Sequence, residues 1–246
     1  SFDIELPEKT LDADIYVDNA IFGVHLEQGK TAVVEITRDD SGVVGIAFSG
    51  DNADLSRVYN ACTRAFDIMK YFSPDPAEAK SPDEYRALLV SEYARLKQEI
   101  ATLDEGAERT CYERLSRGKY EWSHLRILMD QAFDEGKKFN EFPEYTTILE
   151  KVDPNDPLNI RTGLIFSWIG CRQKTPVAEP GEDATDYTLE SIDIVEREIT
   201  DPAVRRSLAN YIGYSFFTIG GGSGDVKRIW ERFSVLAQPW PELIAR

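Results

Sequence analysis

Thr31–Asn52 reads TAVVEITRDDSGVVGIAFSGDN. It contains two β-branched runs parted by an Asp-Asp-Ser-Gly turn and closed by an Asp-Asn pair able to cap a helix. With side chains alternating between faces, Ala32, Val34 and Ile36 share one side of the first strand, and Val44, Ile46 and Phe48 share one side of the next. Two further apolar stretches precede them, Ile15–Val17 and Ala20–Leu26, and Gln28-Gly29-Lys30 supplies a second short connection. The simplest arrangement is an antiparallel meander of three to four strands. Beyond Asn52 the apolar period changes. Leu55, Val58, Tyr59, Cys62, Phe66 and Met69 recur at helical spacing, so a helix over residues 52–72 is expected to cover the sheet.

Downstream of a proline-bearing break, Ser73–Lys80, helical patterns dominate. Ser81-Pro82-Asp83-Glu84 carries a capping box with proline at the first helical position, and Tyr85, Leu88, Leu89, Tyr93, Leu96, Ile100 and Leu103 form the stripe behind it. Further helices are expected over about 107–115, from about Tyr120, and from Pro143. Leu158–Cys171 is apolar nearly all round, which marks a core or interface helix. Gln173–Asp186 reads as an exposed loop or lid, and helices are expected around 189–199, 203–219 and 225–236. Gly213 is expected to let a neighbour approach closely. The fold class is therefore α+β: residues 1–73 hold the meander and first helix, residues 81–246 a bundle-like helical region, the two packed as one globular unit.

Composition narrows the function. The 246 residues hold 28 Lys and Arg against 44 Asp and Glu, a net charge of −16. Such a field repels phosphate backbones and anionic membranes, so neither nucleic acid nor a membrane is an expected partner. The acidity first of all favours solubility. Hydrophobic residues make up 42% of the chain, enough for a packed interior. Cys62, Cys111 and Cys171 form no Cys-x-x-Cys pair, which favours buried thiols over disulfides and suits a cytoplasmic protein. The longest uncharged run, Ser207–Gly224, holds serines, an asparagine and five glycines and is too polar to insert in a bilayer.

Catalytic chemistry is sparse. With only His25 and His124, a multi-histidine metal site is not available, and Glu121-x-x-His124 is one half of a paired di-iron pattern. Asp153-Pro-Asn-Asp-Pro157 lacks the glycine and glutamate of a calcium loop. Gly220–Gly224 fails the phosphate-loop pattern and has the composition of a flexible linker. Glu105, Glu108, Asp130 and Asp134 could combine as hard oxygen ligands for Mg²⁺ in hydrolysis of a nucleotide-like substrate; no other cofactor is called for. The amphipathic 225–236 segment and the Pro239-Trp240-Pro241 stretch after it supply candidate binding residues, Ile229, Trp230, Phe233 and Trp240. The face of the amphipathic segment is expected to meet the protein's own core or another chain. The leading expectation is a non-enzymatic protein-interaction or assembly protein that binds a protein partner or itself. The Mg²⁺-dependent carboxylate hydrolase is the alternative.

Overall fold

The computed structural model describes residues 5–6, 8–17, 20–40, 42–66, 81–134, 142–175, 182–217 and 224–244. The proline break 73–80 and the glycines 220–223 lie outside these residues, as do 176–181 of the expected lid. The chain divides into two compact units, 1–124 and 125–246.

In the first unit β1 (Thr10–Val17) pairs antiparallel with β2 (Ala20–Glu27), and β3 (Ala32–Asp39) with β4 (Gly42–Gly50). The α+β class stands, but the strands form two separate hairpins rather than one continuous meander. The reason lies in α1 (Ala53–Arg64), whose side chains take the outer edge of β2. Gly23 N–H donates to Asn60 Oδ1 at 3.1 Å. Ser56 Oγ accepts from His25 N–H at 3.1 Å and donates to the His25 carbonyl at 3.2 Å. A backbone edge satisfied in this way has no groups left at those positions for a third strand. Across the second hairpin, Val34 faces Phe48 and Ile36 faces Ile46, so the two apolar faces read from sequence meet as cross-strand pairs.

Val58, Tyr59 and Cys62 of α1 are buried. Each large apolar side chain of this kind contributes about 1.5–3 kcal/mol of transfer free energy. Helix α2 (Pro82–Ile100) opens on the expected capping box: Glu84 N–H donates to Ser81 Oγ at 3.3 Å, and Ser81 N–H donates to Glu84 Oε2 at 2.9 Å. Residues 107–115 and the pattern from Tyr120 belong to a single helix, α3 (Ala107–Asp134), rather than two. Gly118 inside it weakens the helix by only about 1 kcal/mol, too little to break a segment anchored by buried Tyr112, Leu115 and Leu125.

The second unit holds α4 (Pro143–Leu149), α5 (Leu158–Thr162), α6 (Leu164–Arg172), α7 (Thr185–Glu198), α8 (Pro202–Phe217), α9 (Val226–Leu236) and α10 (Pro241–Ile244). The expected single helix 158–171 is thus two pieces. Gly163 sits between them at φ 84°, a left-handed conformation that closes α5 and that other residues adopt at a cost. Leu164, Ile165, Trp168 and Ile169 of α6 are buried, which resolves the core-or-interface choice toward the core.

Asp201 Oδ1 accepts from the Ala203 and Val204 amides and caps α8, while Asp225 Oδ1 accepts from the Arg228 amide and caps α9. The Asp153–Pro157 turn has a structural task. Asn155 Oδ1 accepts from the Thr200 and Asp201 amides and so ties the α7–α8 corner. Helix α9 packs on α7 and α8, with Leu189, Phe216 and Ile229 forming one buried cluster. Gly213 gives the expected close approach: a Cβ there would stand 2.8 Å from the Phe233 ring.

Candidate functional site

The four acids proposed for metal chemistry fall at the two ends of α3. Glu105 is exposed in the turn before the helix and Glu108 is half-buried in its first turn. Asp130 and Asp134 lie in its last turns, and their side chains are outside the described set. No group of three or more His, Cys, Asp or Glu placed to hold a metal ion occurs among the described residues. Nor, among those residues, is any helix long and apolar enough to cross a membrane.

The cysteines are free thiols rather than disulfides. Burial pushes the Cys62 thiol up to about 12 and raises Cys171 above its ordinary value. Neither is a thiolate nucleophile at neutral pH.

In the first unit three chain segments meet on one carboxylate. Asp12 of β1 accepts the Tyr112 hydroxyl of α3 at 2.9 Å and lies 2.8 Å from His25 Nδ1 of β2. The Tyr112 hydroxyl also lies 3.0 Å from His25 Nδ1, and His25 Nε2 is buried with no partner among the described residues. Tyr59 stacks on Tyr112 at 5.8 Å and donates its hydroxyl to Asp14 at 3.1 Å. Burial, and after it the Asp12 charge, hold the Tyr112 hydroxyl protonated far above the usual tyrosine range. This is a polar clasp linking β1, β2 and α3, and it gives His25 a fixed orientation.

The second unit has the opposite character. The binding candidates divide: Ile229 and Phe233 are buried within the unit, Trp240 is half-buried, and Trp230 is 39% exposed. Trp230 is not alone. Tyr211, Tyr214 and Phe217 are exposed on α8, and Val226 and Val235 on α9. Elsewhere among the described residues the exposed large apolar side chains are Tyr16, Ile21, Val33 and Val90, spread over three strands and α2. Phe217 bridges the two helices, meeting the Trp230 ring edge-on at 5.4 Å.

Beside this band an open cavity of about 250 Å³ lies between α6, α7 and α8. Phe166, Ile169, Tyr187, Leu208, Ile212 and Phe216 contribute its apolar wall, and Tyr211, packed on Phe166 at 4.3 Å, belongs both to the wall and to the exposed band. Gln173, Thr188, Ser191 and Ser215 are its uncharged polar members. Gln173 is held by its amide nitrogen, which donates to the Tyr187 carbonyl at 3.1 Å and to Ser191 Oγ at 2.8 Å. The carbonyl can only accept, so the amide orientation is fixed. Gln173 Oε1 is then buried without a donor among the described residues.

Compared with family models, curated proteins and solved structures, the chain matches none. The cavity and the band therefore stand on their own geometry. Sequence reading singled out Trp230 but not Tyr214, Tyr187 or Gln173. A signal was present in α8, where Leu208, Ile212 and Phe216 recur at a spacing of four and Tyr211, Tyr214 and Phe217 at a spacing of three. Two rows on one helix mean two faces, and the structure buries the first while leaving the second outward.

Proposed function

We propose that the chain is a non-enzymatic interaction or assembly protein of the cytoplasm, and that the outer faces of α8 and α9 are what it offers to a protein partner. The observation that carries this reading is the gathering of exposed aromatics on two adjacent helices, Tyr214 at 55% and Trp230 at 39% among them. Large side chains of low conformational entropy are what interfaces enrich and what isolated surfaces tend to disperse. The free thiols favour a reducing compartment. The net charge of −16 favours a partner with basic surface and speeds its arrival.

The test pairs light scattering with affinity capture from lysate of the source cells, for the wild-type chain and the double variant Tyr214→Ser, Trp230→Ser. The expected result is association by the wild type, either with itself or with a partner, and its loss in the variant. A wild-type chain that stays monomeric at high concentration and captures nothing refutes the proposal.

A further inference from the structure

A second concave feature lies in the first unit, an open groove of about 400 Å³ between α1 and α2. Arg57, Asn60 and Arg64 line it from α1, at a spacing of three and seven that brings one face of the helix to the groove. Arg95 and Glu99, one turn apart, line it from α2. Among the described residues the lining therefore holds three guanidinium groups against one carboxylate, in a chain whose net charge is −16. The mean field of such a chain turns anions away, and a local surplus of positive charge is where one is admitted.

These charges are not locked by their present partners. Arg64 has no hydrogen-bond or ion-pair partner among the described residues. Its guanidinium carbon stands 5.4 Å from the centroid of the Phe22 ring, a contact that steadies the side chain and leaves its N–H donors uncommitted. Arg57 reaches Asp54 and Thr102, each at 3.3 Å, and both side chains of that ion pair are exposed, the class of pair that contributes least. Arg95 pairs with Glu99 four residues on, with the acid on the C-terminal side, the weaker orientation on a helix. Asn60 is nine-tenths buried. Its Oδ1 is taken by the Gly23 amide, whereas its Nδ2 has no partner among the described residues and keeps accessible surface.

This donor set selects a ligand class. A guanidinium fork matches the oxygens of a phosphoryl group two at a time, and such charge-assisted bonds are about twice as strong as neutral ones. The volume falls at the low end of the ~300–1,000 Å³ clefts that hold small molecules, and the apolar members of the described lining are two alanines, which suits a small polar ligand. A polyanionic polymer or an anionic membrane meets the repulsion of the whole chain, whereas a small soluble ester presents far less charge to it. Glu99 is an acceptor only, so its presence in the lining suits a hydroxyl beside the phosphoryl group.

We propose that the groove between α1 and α2 binds the phosphate monoester of a small hydroxylated molecule. Arg57 and Arg64 hold the phosphoryl oxygens, Asn60 Nδ2 adds a neutral donor, and Glu99 accepts a hydroxyl from the remainder of the ligand. The site belongs to the other unit from the α8 and α9 surface, and its test needs no protein partner.

The probe is glycerol 3-phosphate, titrated at constant ionic strength into the ¹⁵N-labelled full chain and followed by the Nε–Hε signals of Arg57 and Arg64 and the amide of Ala61. Saturable shifts are expected at all three, with methyl phosphate binding roughly five-fold more weakly because it brings no hydroxyl. Acetate is expected to give no saturable shift. Arg64→Gln is expected to weaken binding about ten-fold, and Arg64→Lys, which keeps the charge and loses the fork, about five-fold. Arg86→Gln removes the same charge nearer the start of α2 and is expected to change binding by less than about two-fold. Glu99→Gln is expected to bring the two esters level. If Arg64→Gln fails to give a dispersed spectrum, Arg64→Lys decides the same point.

The absence of a saturable shift with either ester overturns the site, and so does an equal loss in Arg64→Gln and Arg86→Gln, which would show attraction to charge rather than to a place. Acetate binding as tightly as the esters overturns the phosphoryl assignment. Full affinity in Arg64→Lys overturns the two-pronged role of Arg64. Equal binding of the two esters to the wild type overturns the contact of Glu99 with a hydroxyl.

Discussion

The two units use their aromatic side chains in opposite ways. In the first, Tyr59 and Tyr112 are buried, stacked on each other and committed by their hydroxyls to Asp14 and Asp12. In the second, Tyr211, Tyr214 and Trp230 stand in solvent beside an open cavity. The same residue type is a clasp in one place and an exposed surface in the other. In the clasp a carboxylate from another element lies within reach of each ring's polar tip. Among the described residues, the exposed large apolar side chains of the first unit are spread over three strands and α2, whereas those of the second gather on α8 and α9.

The largest expected effect tests whether that second core is complete without the exposed rings. Phe233→Ala removes a buried ring lodged against Gly213 and is expected to destabilise the second unit by about 3–5 kcal/mol, read as a lower urea midpoint by fluorescence of Trp168 and Trp230. A loss no larger than that of an exposed residue would show that α9 is not part of the core.

The next effect concerns the first unit at high pH. The folded-state value of Cys62 lies above its ordinary one, so the unfolded chain releases that proton first. Stability is full below the ordinary thiol value and is lost as pH rises toward about 12, on the order of a few kcal/mol. Urea midpoints measured from about pH 8 to 12 are expected to fall more steeply for the wild type than for Cys62→Ala. Parallel curves would mean that the thiol meets water in the folded state.

Smaller again, Tyr112→Phe keeps the stacking ring and deletes the hydroxyl on Asp12, with an expected loss of about 2 kcal/mol in the first unit. The same change should flatten the alkaline limb above the ordinary tyrosine range, because the folded state holds that proton longer than the unfolded one. The smallest effect is at the exposed band. Tyr214→Ser is expected to change stability by no more than about 0.5 kcal/mol while weakening association, a split that a merely structural tyrosine would not give.

Local signals in the sequence proved readable where one residue acts on its near neighbours. Ser81 and Glu84 cap α2 and Gly213 admits Phe233, each as the residue type alone implies. What escaped was decided at a distance. The separation of the strands into two hairpins depends on Ser56 and Asn60 reaching back more than thirty residues to β2. The carboxylate clasp joins Asp12, His25 and Tyr112 across a hundred residues of chain. Gly163 was visible, but a single glycine inside an apolar run is compatible with either an intact helix or a break, and only its left-handed torsion decides. The candidate site was half legible for the same reason. Trp230 could be read from its own amphipathic helix, whereas the cavity needs α6, α7 and α8 together.

The capture of β2 by α1 also bears on how the chain resists misassembly. An uncovered strand is a template on which an identical molecule can add its own, and repeated addition makes fibrils. Around Gly23 and His25 that template is already occupied by a serine hydroxyl and an asparagine amide, two groups too small and too local to propagate a strand. A chain carrying Ser56→Ala and Asn60→Ala would leave the Gly23 and His25 amides without these partners, in a strand that also holds the buried Phe22 and Val24.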